Sequence, residues 1–196
     1  MANNNFAPGL LLAAPRLGDP NFERTVVLIG RHETEGTLGW VVNGKQLKPV
    51  RELLANSGLV PSVDDLPASA SFAHHARVGG PVSPATGWLV YRRTTSGIVI
   101  PGEIDVGPDL AVTGDATAFA EVMRGGEPTD FRMFLGYAGW GPGQLEEEVR
   151  AGAWLPAAVD AELVLGTSSD GLWDAAYRRS IGVAPGAFMS TKRGQA

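Results

Sequence analysis

Apolar positions along this chain come in short runs, most of them too brief for helices. Residues 10–14 (LLLAA) predict a first strand. Residues 25–31 (TVVLIGR) are β-branched and almost wholly apolar, which predicts a strand buried on both faces. Residues 37–43 (TLGWVVN) follow after a short polar turn, and two strands so closely joined predict an antiparallel hairpin. A second hairpin is predicted from 87–93 and 97–102 around 94–96, with further strands at 110–113, 131–140 and 161–166.

Helical spacing is rarer. Residues 49–58 predict a short helix, with Pro49 at its first position and Gly58 at its exit. Residues 115–126 predict another, capped by Asp115, with Phe119, Val122 and Met123 on its apolar face. Helices are also predicted over 142–154 and 171–182. Residues 59–76 have no clean period and read as a long loop, with Gly79 and Gly80 in the turn beyond it. Hairpins early and helices between later strands make an α+β fold, with a strongly curved, mainly antiparallel sheet and short surrounding helices. The chain reads as one domain, 1–196, with 1–8 and 190–196 frayed.

Composition narrows the function classes. A net charge of −5 and a pI near 5.2 argue against direct nucleic-acid binding. The absence of cysteine excludes disulfides, thiolate metal sites and cysteine nucleophiles, and fits a reducing cytoplasm. No apolar run is long enough for a signal-peptide core or a membrane span.

Candidate chemistry is thin. Residues 39–46 (GWVVNGKQ) match the phosphate-loop pattern except at the last position, where Gln46 replaces Ser or Thr. Trp-Val-Val is strand material, its N–H groups already committed to a ladder, and Asn43-Gly44 reads as a tight turn. His32-Glu33 begins like a zinc-protease motif, but Gly36 stands where the second histidine belongs. His74-His75 read as exposed loop residues, and 166–171 (GTSSDG) as the entry to the last helix. Glu146, Glu147 and Glu148 suit the first turns of a solvated helix, and Arg92-Arg93 and Arg178-Arg179 are too short for a nucleic-acid footprint. No metal or cofactor is implied, and no catalytic residue is identifiable.

Trp140 is the exception among five tryptophans. Gly136, Gly139, Gly141 and Gly143 surround it where a strand becomes a helix, and such glycines let backbone approach backbone or a ligand. Residues 78–82 (VGGPV) form a second glycine-rich turn, and together the two predict one cleft.

Four segments in order, 14–43, 78–91, 135–155 and 172–182, resemble the AlgH/YqgE family of bacterial proteins over nearly the whole chain. The Gly136-Tyr137-Ala138-Gly139-Trp140 block with Gly143 to Glu146 is the most specific part. The other matching positions are Pro15, Asp19, Phe22, His32, Gly36, Gly39, Asn43, Gly79, Gly80, Pro81 and Trp154. The resemblance implies a compact α+β domain with a flattened, barrel-like sheet in a cytoplasmic bacterial protein. It implies no settled activity; some members are labelled transcriptional regulators of alginate production. Gly44-Lys45 stands where the family usually has a basic residue and Pro.

The candidate cleft set is Asp19, His32, Asn43, Gly79, Gly80, Trp140, Gln144 and Glu146. The leading expectation is a non-enzymatic binding or regulatory domain with a small-molecule or protein partner. Two alternatives stay open: an enzyme of unrecognised class using His32, Gln144 and Glu146, and a transcriptional regulator.

Overall fold

A computed structural model of the chain describes residues 6–57, 62–93 and 99–185. In chain order its strands are β1 (Gly9–Ala13), β2 (Val26–Glu33), β3 (Gly36–Val41), β4 (Gln46–Pro49), β5 (His75–Val78), β6 (Val82–Arg92), β7 (Ile104–Asp105), β8 (Leu110–Thr113), β9 (Phe131–Trp140) and β10 (Trp154–Ala157). Its helices are α1 (Val50–Asn56), α2 (Ala70–Ala73), α3 (Ala116–Met123), α4 (Gln144–Arg150) and α5 (Ser169–Ile181). The fold is α+β. The sheet is curved but not closed into a barrel, and runs β10-β1-β2-β3-β9-β6-β8-β7, with β4 and β5 attached beside β9.

Both faces of the central strands are covered, as the apolar run at 25–31 predicts. Leu10, Leu12, Val26 and Leu28 pack beneath α5 with Trp173 and Tyr177. Their alternates Leu11, Val27 and Ile29 face Trp140, Trp154 and Leu145 of α4. Period-two alternation sends successive side chains to opposite faces, so a strand apolar at every position needs a layer on each side. Trp173 Nε1 and Tyr177 Oη both donate to the Ala13 carbonyl, at 2.9 and 3.0 Å, which fixes α5 on β1. A separate cluster joins α1, α2 and α3 to β6, β8 and β9 through Phe72, Tyr91, Phe119 and Phe131.

The glycines around Trp140 serve a strand that changes partners. One edge of β9 pairs in parallel with β5 at Phe134 and Leu135, then antiparallel with β3 at Ala138 to Trp140. Gly136 lies at the changeover with φ +74°, and a Cβ there would sit 2.5 Å from the Gly80 carbonyl oxygen. The gap is bridged by Gly79, whose N–H donates to Leu135 while its carbonyl accepts from Val41.

Several expected elements differ. Residues 161–166 are not a strand: Glu162–Gly166 forms a π-helical turn. Its apolar residues are buried as a strand's would be, but the Asp160 carboxylate accepts from Leu163 N at 3.0 Å and starts a helical path. The second hairpin is absent as drawn. Residues 94–98 lie outside the described residues, 99–102 carry no strand, and β6 pairs instead with β8 and β9. Pro101-Gly102 is a turn, with Gly102 at φ +66°.

The helix expected to reach 154 ends at Arg150, because Gly152 turns with φ +78°. Trp154 then opens β10, an edge strand that tolerates Pro156. Residues 62–76 are not loop throughout, since they hold a 3-10 turn and α2. Pro49 closes β4 and caps α1 rather than occupying its first turn. Phe6 is buried against the third cluster, so the described end of the 1–8 stretch is packed; 1–5 and 190–196 lie outside the described residues.

Candidate functional site

The residues of 39–46 do not form a phosphate loop. Gly39 to Val41 lie in β3, Val42-Asn43 turn, and the next helix starts at Val50. Asn43 is committed to that turn: its Oδ1 accepts from Val26 N at 2.8 Å, and its Nδ2 donates to the Arg24 carbonyl at 2.9 Å. Asp19 caps a neighbouring turn, accepting from Asn21 N at 2.8 Å.

The two glycine-rich turns lie against each other, because a Cβ on Gly80 would meet the Tyr137 carbonyl at 2.2 Å. Only three of the eight candidate residues nevertheless border a hollow here, and they divide between two different ones. Asn43 and Gly80 border one of about 350 Å³ beside Pro20 and Lys45. Trp140 borders another of about 610 Å³ with Thr37, Trp88 and Tyr137. Asp19, His32, Gly79, Gln144 and Glu146 line neither.

Around Trp140 the polar groups are spent on one another. Glu148 Oε2 accepts from both indoles, Trp140 at 2.9 Å and Trp154 at 2.7 Å, and Glu148 Oε1 accepts from Gln144 Nε2 at 2.9 Å. Gln144 Oε1 in turn accepts from Gly141 N at 3.0 Å, capping α4. Phe22 stacks on Trp140 at 6.0 Å and meets Trp154 edge-on at 5.5 Å. His32 Nδ1 lies 2.7 Å from Thr37 Oγ1, and its Nε2 lies 3.6 Å from Glu146. Glu148 holds this assembly together. The Glu146–Glu148 run was legible only as a solvated helix face, since the two indoles it serves lie at the ends of different strands.

A further pocket lies elsewhere, between α2, β5, β9 and the first turn of α5. Its volume is about 380 Å³. Register explains its contents. Arg77 stands opposite Phe134 across the parallel β5–β9 pairing, and Arg132 shares the Phe134 face two residues earlier. His74 and His75 enter from the end of α2, and Thr167, Ser168, Ser169 and Asp170 from the start of α5. Val42, Met133, Phe134 and Val164 supply apolar wall.

Positive charge in this pocket is poorly compensated. Arg77 gives one hydrogen bond to the Gly44 carbonyl at 3.1 Å, and Arg132 one to the Leu165 carbonyl at 2.5 Å. No carboxylate oxygen lies within 4.0 Å of either guanidinium among the described residues. Asp130, the nearest acidic influence on Arg132, is 3.9 Å from Arg92 instead. Burial holds both guanidiniums below their usual proton affinity, and Arg132 lowers that of Arg77 further against the opposing pull of Asp170. His74 also titrates below the usual histidine value, through burial first and then Arg132, with Asp130 opposing. Arginine stays protonated regardless, so the pocket offers two fixed cations and a histidine biased to neutrality.

The helix entry at 166–171 was legible in the sequence; the pocket was not. Its signal was a lone arginine between apolar neighbours in each of two strand segments, ARV and FRMFL. Among the described residues no group of three or more His, Asp or Glu is placed to hold a metal ion, and no helix is long and apolar enough to cross a membrane.

Comparison with known proteins locates the fold. A family model described as AlgH-like matches residues 10–185. The chain belongs to the AlgH-like family. A UPF0301 protein of Anaeromyxobacter sp. (strain Fw109-5) is 40% identical over 194 residues, 96% of this chain and 94% of that protein. A UPF0301 protein of Myxococcus xanthus (strain DK1622) is 40% identical over 184 residues, 92% of this chain and 93% of the relative. The solution structure of the AlgH protein from Pseudomonas aeruginosa superposes with a TM-score of 0.73 at 25% identity, covering 100% of this chain and 98% of that one. A crystal structure from Corynebacterium diphtheriae gives 0.68 at 25% identity, with 92% and 90% covered. These names carry no activity, so function rests on this AlgH-like protein's own geometry.

Proposed function

We propose that this AlgH-like protein is a cytoplasmic binding protein for a small anionic molecule, held in the pocket between β5, β9 and α5. The observation that carries this reading is the pair of half-buried guanidiniums, Arg77 and Arg132, on one face of the β5–β9 pairing with no carboxylate within 4.0 Å among the described residues. Burying charge is costly unless it is paired, and each of these guanidiniums is held by a single carbonyl, which leaves N–H donors for an anionic ligand. The α5 N-terminus adds backbone donors and a partial positive charge.

The glycine-rich turns have less support as a ligand site, because Gly79, Gly80 and Gly136 accommodate neighbouring backbone. The enzyme reading through His32, Gln144 and Glu146 also has less support, since both ends of the Gln144 amide are bonded within α4 and its approach. A regulatory role would run through ligand occupancy; the net charge of −5 disfavours direct contact with DNA.

A thermal-shift screen of small anions against size-matched neutral compounds tests this. An anion at about 100 times its Kd should raise the melting temperature by about 5–10 °C. The shift should vanish in both Arg77→Gln and Arg132→Gln. Equal shifts in the wild-type protein and both variants, or none from any anion, would reject the reading.

A further inference from the structure

We infer that the ligand is a phosphate monoester carrying a small apolar body, with its phosphate between Arg77 and Arg132. This rests on the anion reading above and adds the charge and shape of the ligand.

The charge follows from the pocket's two cations. The guanidiniums lie close enough for Arg132 to disfavour the charged form of Arg77. A monoanion between them leaves one cation with only the exposed, solvent-screened Asp170 carboxylate opposite it. A phosphate monoester carries about 1.5 to 2 negative charges near neutrality and three acceptor oxygens. Two arginine forks and nearby hydroxyls match that tetrahedral set better than they match a planar carboxylate, which one fork already saturates. The hydroxyls belong to Thr167, Ser168 and Ser169, all lining the pocket. Ser168 makes no side-chain cap bond to α5, so its hydroxyl is not committed to the helix. The one lining carboxylate, Asp170, is exposed in the first turn of α5 and forms no ion pair within 4.0 Å of either guanidinium, so solvent screens it.

The body of the ligand follows from volume and lining. A pocket of about 380 Å³ is larger than a bare oxyanion needs; ligand pockets of about 300–1,000 Å³ hold small organic molecules. Val42, Phe134 and Val164 form an apolar wall beside the arginines. That wall gains nothing from inorganic phosphate and buries a short hydrocarbon or an aromatic ring. The ligand is therefore a small molecule, and the pocket has no room for a folded macromolecular partner.

Isothermal titration of the full chain at about pH 7.5, where a phosphate monoester is essentially dianionic, separates the possibilities with three probes: phenyl phosphate, phenyl sulfate and inorganic phosphate. Phenyl phosphate should bind at least about tenfold more tightly than either of the others, a difference of about 1.4 kcal/mol. Arg77→Gln should abolish that preference. Arg132 also holds the Leu165 carbonyl, so Arg132→Lys, which keeps the charge but loses the fork, guards against misfolding of the Gln variant. It should weaken phenyl phosphate by about three- to tenfold. Equal affinity for phenyl sulfate would overturn the dianion inference while leaving the anion reading intact. Equal affinity for inorganic phosphate would overturn the apolar body. Unchanged phenyl phosphate binding in Arg132→Lys would overturn the bidentate placement. No binding of any probe would overturn this inference, while the anion screen above decides the reading beneath it.

Discussion

Removing the Glu148 carboxylate should loosen two strand ends at once. Glu148 of α4 accepts from Trp140, the last residue of β9, and from Trp154, the first residue of β10. Both indoles are buried, at 5% and 4% exposure, so Glu148→Ala strands two N–H groups where water has little access. A hydrogen bond to a charged group contributes about 1.5–3 kcal/mol net. Two such bonds set an upper range of about 3–6 kcal/mol, and partial exposure of Glu148 lets solvent recover some, leaving about 2–4 kcal/mol. In a chain of this size that corresponds to about 5–15 °C in melting temperature.

Glu148→Gln is the control, because its amide oxygen can occupy the Oε2 position and keep both indoles bonded. Only the exposed Gln144 amide then faces a donor, and it can turn to solvent, so the cost should stay near 1 kcal/mol. Urea denaturation followed by tryptophan fluorescence, with the m-value constant across variants, gives the free energies. Equal loss in Ala and Gln, or less than about 1 kcal/mol in Ala, would refute the claim that the carboxylate satisfies the indoles.

Other expectations follow from the same geometry. Gly80→Ala should destabilise by about 3 kcal/mol or more, because a Cβ there meets the Tyr137 carbonyl at 2.2 Å and Ala138 N at 2.4 Å. Gly143→Ala, at φ +74° with nothing within 4 Å of the new Cβ, should cost only the left-handed strain of about 1–2 kcal/mol; thermal melts that rank the pair the other way would contradict the backbone-crowding account. His74 titrates below 6.5 in the folded chain, so the unfolded chain takes up that proton first as pH falls. Stability contributed above about pH 6.5 should therefore be lost on acidification, and His74→Asn should flatten that part of the melting profile; an unchanged profile would reject the burial of this histidine. ATP with magnesium should not be retained by equilibrium dialysis, since Trp40 and Val41 lie within β3; binding lost on Lys45→Ala would reverse that.

Local chemistry was the legible part of this fold. The β2 run reads as a strand covered on both faces because the whole of Val26 to Ile29 is apolar, and it is so covered. The helix entry at Ser168 was equally plain, since it depends on a few neighbouring residues, whereas the turn expected at Asn43-Gly44 falls one residue earlier, at Val42-Asn43, without positive φ at Asn43 or Gly44. Glu162–Gly166 was not, because a short buried apolar run has the same pattern in a strand and in a helical turn. The sequence pattern carries the preceding helix on through Trp154, because only Gly152 marks the break.

The glycines near Trp140 announced close approach but not what approaches. They admit backbone, as the changeover of β9 from β5 to β3 shows. The meeting of Arg77 and Arg132 is illegible for a different reason. Their meeting depends on a parallel pairing between distant strands, and nothing local marks it. A lone arginine in a strand reads as an outward-facing side chain until a helix is seen to close over it.

The central claim is that Arg77 and Arg132 together hold a tetrahedral anion. Its most direct test is an anomalous-difference map from crystals of the full chain soaked in tungstate, a tetrahedral dianion whose heavy atom locates itself. The account predicts a peak in the pocket within hydrogen-bonding reach of both guanidiniums, and its loss in Arg77→Gln crystals. Tungstate bound only at other surface arginines, with that pocket empty, would contradict it.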